Sequence, residues 1–408
     1  MIATSHGGAV SALFQNSTDS AFRLPSRAGE KIASFLDQNH FERPTLVLDI
    51  DRVAERYGAL SRGLKGARIH YAVKANPEPA VISRLVSLGS RFDAASRAEI
   101  LLCLAHGAGP ADVSFGNTVK RPTDIAWAHA QGIDLFAADS EEELAKLASF
   151  APGARVYIRV LVEYSEADWP LSRKFGCGPE EATRLIGLAS CLGLRPVGLS
   201  FHVGSQTRQA AMWRPVLDRV AEVWREARTA GFALDVLNIG GGFPAFYGEP
   251  VQEAKNYGAE VMAEIRARFG DEPTYIMAEP GRGLVAESGV IAAEVLLVSR
   301  KRATDIARWV YLDIGRFSGL AETEGEAIRY QFETTADGDD AGRCETGPCI
   351  LAGPSCDSAD VLYEKRPVQL PLALKAGDRV RILACGAYTT TYASIGFNGF
   401  PPLDVICI

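Results

Sequence analysis

The chain has 408 residues, 47% of them hydrophobic, and a formal net charge of −7. This length allows a barrel plus a companion domain, and the apolar share describes a globular chain with a sizeable core. The acidic balance argues against a nucleic-acid partner, and no uninterrupted apolar span is long enough to cross a membrane. The opening stretch lacks a basic start followed by a compact apolar run, so no secretory leader is expected. Eight cysteines without CxxC spacing suggest reduced thiols and a cytoplasmic location, and six histidines without HExxH give a metal site little support.

From residue 67 onward, short apolar runs alternate with helical ones. Strands are predicted over 67–75, 90–95, 112–116, 134–139, 155–160, 196–204, 235–240 and 274–280, and their apolar character suits parallel strands covered by helices. Ser96 with Glu99, and Ser140 with Glu143, have capping-box spacing, so helices open just after Asp93 and Asp139. Eight such units make a closed (β/α)8 barrel the economical architecture, with a doubly wound open sheet as the alternative. In either fold, ligands belong in the loops after the strand C-terminal ends. Beyond about residue 285 the runs look like strands separated by polar turns, with AGDR at 376–379 a strong turn signal. A second, mainly β domain is expected there, with 334–347 as a surface loop.

Three stretches have chemical content. In NIGGGFP (238–244), Gly240, Gly241 and Gly242 follow a strand, where their N–H groups suit an anion such as phosphate. A tight structural turn explains them equally well. In EPGRGL (279–284), Glu279 ends a strand and Arg282 follows in a glycine-rich turn. Lys74, after the strand IHYAV, sits at the expected C-terminal edge of the sheet, where an amine kept partly neutral forms an imine. Each has a plainer reading as cap, salt bridge or strand-edge lysine. Together they describe a site for a phosphorylated ring with a basic nitrogen.

YAVKAN, SFHVGSQ, NIGGGFP, EPGR, GPSCDSAD and GAYTTTY with GFNGF occur here in the order seen in one known group. Over roughly residues 40–400 the chain resembles the pyridoxal-phosphate decarboxylases of the alanine racemase-like fold, which act on ornithine, lysine or diaminopimelate. The resemblance implies an N-terminal (β/α)8 barrel and a C-terminal β-domain. The division expected is residues 1–40 joining the β-domain, 41–285 the barrel and 286–408 the β-domain. It also implies a homodimer with active sites at the subunit interface.

By this resemblance, Lys74 binds the cofactor covalently, His202 stacks on its ring and Ser205 reaches its phosphate. Gly240, Gly241, Gly242, Arg282 and Tyr388 complete the phosphate site, with Asp93 and Arg159 as supporting polar groups. Glu279 keeps the ring nitrogen protonated so that the ring accepts electrons from the substrate. Related racemases have an arginine there, so Glu279 favours decarboxylation. Cys356 resembles the residue the other subunit delivers for proton transfer.

The distal end of the site separates substrates. Asp357, in CDS where diaminopimelate enzymes typically have CES, resembles the acid that binds a terminal ammonium. Asp313 looks like a second such acid, Tyr388 lines the substrate side as well, and Phe397 matches a partner-subunit aromatic near the substrate. Arg316 either reaches a distal carboxylate or pairs with Asp313. Arginine is disfavoured because the resembling arginine decarboxylases are generally longer chains. The expectation is decarboxylation of ornithine first and lysine second. Diaminopimelate decarboxylation and a catalytically inactive, inhibitor-like relative are the alternatives.

Overall fold

In the computed structural model, residues 29–161, 174–337 and 344–408 are described. Residues 1–28 of the expected N-terminal segment, and 338–343 of the expected surface loop, lie outside them. Strand β1 (Thr45–Leu48) precedes the barrel in sequence. The barrel strands are β2 (Ala67–Ala72), β3 (Arg91–Ala94), β4 (Val113–Phe115), β5 (Leu135–Ala138), β6 (Arg155–Arg159), β7 (Arg195–Ser200), β8 (Val236–Asn238) and β9 (Tyr275–Ala278). They form a closed, all-parallel ring in sequence order, with β2 pairing β9. The open-sheet alternative is thereby removed.

Helices follow the strands as their caps require. Ser96 Oγ accepts the Glu99 N–H, and Glu99 reaches back to accept the Ala95 N–H at 2.6 Å. Ser140 caps the next predicted helix by accepting the Glu143 N–H. Glu143 itself does not complete a box: it turns inward to pair with buried Lys120 at 2.9 Å. Burial of that ammonium wins over the spacing rule.

The expected strands were right in place but too long at their C-terminal ends. Residues 73–75 form a 3-10 turn, and 201–204, 239–240 and 279–280 have left the sheet. These overruns are the segments that line the barrel mouth.

The second sheet contains β10 (Gly289–Ser299), β11 (Arg308–Leu312), β12 (Phe332–Thr334), β13 (Thr346–Ala352), β14 (Val361–Leu362), β15 (Val368–Pro371), β16 (Arg379–Ile382) and β17 (Asp404–Cys407). Strand β1 belongs to it as well, antiparallel to β10 and parallel to β17. The N-terminal contribution to this domain therefore runs past residue 40 to at least Leu48. The loop after β16 returns to the barrel and clamps the lysine turn. Asn76 donates to Gly386 O at 2.8 Å, the Tyr388 N–H to Ala75 O at 2.8 Å, and Thr391 to Lys74 O at 2.9 Å. No described helix is long and apolar enough to cross a membrane.

Candidate active site

The mouth gathers side chains from most of the barrel. Lys74 follows β2, Asp93 lies on β3, Arg159 ends β6, His202 follows β7 and Glu279 follows β9. Lys74 keeps a large accessible area because its side chain projects into the open mouth, although enough protein surrounds it for burial to act on its amine. Burial acts to lower its pKa, but Tyr388 and then Asp93 and Glu279 outweigh burial and Arg159, so the net shift is upward. Without a bound partner the amine is held charged, opposite to the partly neutral amine that imine chemistry needs.

Asp93 and Glu279 are both raised, first by burial and, for Glu279, next by the charge of Asp93. One Asp93 oxygen, Oδ1, is buried with no hydrogen-bond partner. A Cβ on Gly116 would stand 1.9 Å from it, so that glycine is the space Asp93 occupies. His202 accepts the Gly204 N–H at Nδ1 (3.0 Å), which leaves the proton of the neutral ring on Nε2. Burial first, then Arg159 and Lys74, push its pKa well below the usual range, so the imidazole is neutral.

The three glycines are dictated first by their neighbours. A Cβ at Gly240 would lie 2.2 Å from Phe201 O, one at Gly241 2.9 Å from Glu279 O and 3.0 Å from His202 Nε2, and one at Gly242 2.6 Å from Gly204 O. Gly240 and Gly242 also have φ of 67° and 106°. The turn is thus a structural necessity where two loops cross. Among the described residues nothing accepts the N–H of Gly241 or Gly242, so the anion-binding reading survives beside the structural one.

Arg282 lies beside this turn, buried, with its Nε donating to Ser205 Oγ at 3.2 Å and its carbon 4.9 Å from the Tyr388 ring centre. Its far edge is taken by Glu322 in a two-point ion pair (2.8 and 2.5 Å) and by Tyr247. Sequence reasoning missed Glu322, which stands forty residues from Arg282 with no spacing to announce it. It also missed Asn238, whose amide joins Glu279 to Gly240. Its position between a strand and the glycines was a usable signal.

Cys356, Asp357 and Phe397 form a second group on the β-domain. Cys356 and Asp357 are exposed on the turn after β13. The Cys356 N–H donates to Asn398 Oδ1 at 3.0 Å, and Phe397 packs on Phe317 at 4.8 Å between ring centres. Among the described residues, no hydrogen bond or ion pair joins this group to Lys74, Asp93 or Glu279. Buried Asp360 shapes the turn, accepting from Arg316 N (2.7 Å) and Ser355 Oγ (2.6 Å).

Asp313 joins neither group. Its Oδ1 accepts the Glu294 N–H at 2.9 Å where β11 leaves β10, and it lines a separate cavity with Asp37, Glu333 and Arg379. The expectation that Asp313 binds a substrate ammonium is therefore corrected: the β10–β11 pairing turns this residue toward the helix Glu30–Gln38. Burial raises its pKa to about 6. Arg316 does not pair with Asp313 either; it donates to Val361 O at 3.0 Å.

A closed parallel barrel with this mouth, joined to a mainly β domain, defines the alanine racemase-like class. The family model described as pyridoxal-dependent decarboxylase, pyridoxal binding domain, matches residues 50–286. The chain is 33% identical to the lysine/ornithine decarboxylase of Selenomonas ruminantium over 93% of this chain and 92% of that one. A solved lysine/ornithine decarboxylase of Vibrio vulnificus, complexed with cadaverine, is 31% identical with a TM-score of 0.81, covering 93% of this chain and 97% of that one. The arginine decarboxylase of Paramecium bursaria Chlorella virus, bound to agmatine, superposes with a TM-score of 0.83 at 28% identity, covering 92% of this chain and all of the viral one. The chain belongs to the pyridoxal-dependent decarboxylase family, with pyridoxal phosphate as cofactor and amino-acid decarboxylation as its reaction. The viral enzyme also removes chain length as an argument against arginine.

Proposed function

We propose that the protein decarboxylates L-ornithine to putrescine and, as a second activity, L-lysine to cadaverine, as a homodimer with shared sites. The barrel mouth fits the cofactor on its own geometry: among the described residues the glycine turn offers two N–H groups without an acceptor and Asp93 an oxygen without a donor, and the charge of Lys74 acts on both Asp93 and the neutral His202 ring. Lys74 would hold the aldehyde carbon, Glu279 the ring nitrogen and His202 a ring face, with Asp93 and Arg159 as flanking polar groups. Gly241, Gly242, Ser205, Arg282 and Tyr388 would hold the phosphate, with Gly240 setting the turn. When bound, the cofactor supplies a ring that absorbs the electrons left as CO2 departs.

The residues of the chain do the rest. Glu279, raised by burial and by Asp93, keeps a proton available to the ring nitrogen. With a second subunit over it, the open mouth would exclude water and orient the substrate carboxylate. Cys356, delivered by a second subunit, returns a proton to the substrate carbon.

The observation that supports the substrate choice is the exposed Cys356–Asp357 turn. Asp357 has no cationic partner among the described residues; Oδ1 only accepts the Ala359 N–H at 2.8 Å. A lone carboxylate there suits a terminal ammonium, whereas the second carboxylate of diaminopimelate would be repelled. With Asp313 directed elsewhere, Asp357 is the single acid for this task. Ornithine and lysine differ by one methylene, about 0.8 kcal/mol of burial, so both are accepted.

A substrate panel tests the proposal. Amine formation from L-ornithine, L-lysine, meso-diaminopimelate and L-arginine is compared as kcat/KM, with ornithine expected first and lysine within about tenfold. Preference for arginine or diaminopimelate would overturn the role given to Asp357.

A further inference from the structure

Three barrel strands bring Tyr157, Asn238 and Glu279 together beneath the mouth. Tyr157 lies on β6, Asn238 ends β8 and Glu279 stands one residue beyond β9. Asn238 uses both ends of its amide: Nδ2 donates to Glu279 Oε1 and Oδ1 accepts the Gly240 N–H at 2.9 Å. Because a backbone N–H only donates, this contact fixes which end of the amide faces Glu279.

Tyr157 is 1% exposed and packs inside the barrel with Leu135, Ala137, Val236 and Met277. Among the described residues its hydroxyl has no partner within hydrogen-bond geometry. Asn238 is close enough to act on this hydroxyl as a hydrogen-bonding neighbour, and the charges of Glu279, Asp93 and Arg159 also reach it. A buried hydroxyl left unpaired is costly. Asn238 Oδ1 keeps one lone pair after serving Gly240, and a small adjustment lets Tyr157 use it.

We propose that Tyr157 and Asn238 are positioning residues for Glu279. Tyr157 donates to Asn238 Oδ1, Asn238 Nδ2 donates to Glu279 Oε1, and Oε2 is left to face the ring nitrogen. The same amide ties that carboxylate to the first glycine of the phosphate turn, so one rigid unit sets the spacing between the nitrogen end and the phosphate end of the cofactor. The inference deepens the decarboxylase reading and rests on it.

The test compares Asn238→Ala, Asn238→Asp and Tyr157→Phe as holoenzymes. A carboxyl at position 238 still accepts the Gly240 N–H but donates to Glu279 only when protonated. Asp93, Arg159 and Lys74 act on Glu279, and so on a carboxyl hydrogen-bonded to it: Glu279 and Asp93 favour its protonation, and Arg159 and Lys74 oppose it. The dissociation constant of pyridoxal phosphate should rise at least about tenfold in N238A and stay within about threefold of wild type in N238D and Y157F. The kcat of N238D should fall about tenfold or more at pH 8.5, with KM nearly unchanged, and its ratio to wild type should recover several-fold by pH 6. Y157F should lose about three- to tenfold in kcat.

A pH-independent ratio for N238D, cofactor binding by N238D as weak as by N238A, or a Y157F variant with full kcat would overturn the proposal. If the wild type decarboxylates neither ornithine nor lysine, the substrate reading fails, while the order of the cofactor constants still tests the relay.

Discussion

The lysine pocket and the Cys356 turn serve one proposed reaction but are built to opposite plans. The pocket is over-determined: three hydrogen bonds from the β-domain clamp the lysine turn, and glycines leave no room for the loops around it to shift. The Cys356–Asp357 turn is exposed and held mainly from below by Asp360. The difference teaches that the cofactor half of the site is preorganised within one chain. The half proposed to return the proton and read the substrate lies on an outer face, where the proposed second copy would complete it.

Removing the pocket's central group gives the largest expected effect. Lys74→Ala should lower kcat/KM on the order of a thousandfold or more and abolish the visible absorbance of bound cofactor, with circular dichroism unchanged. A variant that kept its visible band would break the assignment of Lys74. The second test addresses the division between chains. Mixing Lys74→Ala with Cys356→Ala subunits should restore about a quarter of wild-type activity, since half the random dimers are mixed and each has one intact site of two. No recovery despite demonstrated exchange would put both groups on one chain.

The smallest effect sharpens the comparison from the exposed side. Asp360→Ala orphans the Arg316 N–H and the Ser355 hydroxyl, costing about 1–3 kcal/mol in denaturant unfolding. It should lower kcat about tenfold while leaving the affinity for pyridoxal phosphate unchanged. Loss of cofactor affinity would show that the two regions are not separate units.

Much of the barrel was legible because it follows local rules. Strand length, capping serines and apolar runs recur at short range, and closure leaves few other arrangements for eight such units. The strand ends were misjudged because apolar residues continue into the mouth: Val73, Phe201 and Ile239 are buried, yet all lie outside the sheet. Among the strands not seen, β12 and β14 are only three and two residues long, and β13 begins inside the stretch expected as a surface loop.

By itself, the sequence determined the chemical inventory: a lysine, two carboxylates, a histidine and a glycine turn, each at a strand end, because residue type and short spacing are local properties. Only the tertiary structure decided the partners. It paired Arg282 with Glu322, set Asn238 between Glu279 and Gly240, placed Asp360 under the Cys356 turn and sent Asp313 to another cavity. Those outcomes depend on barrel closure and strand register, which bring together residues that spacing along the chain does not relate.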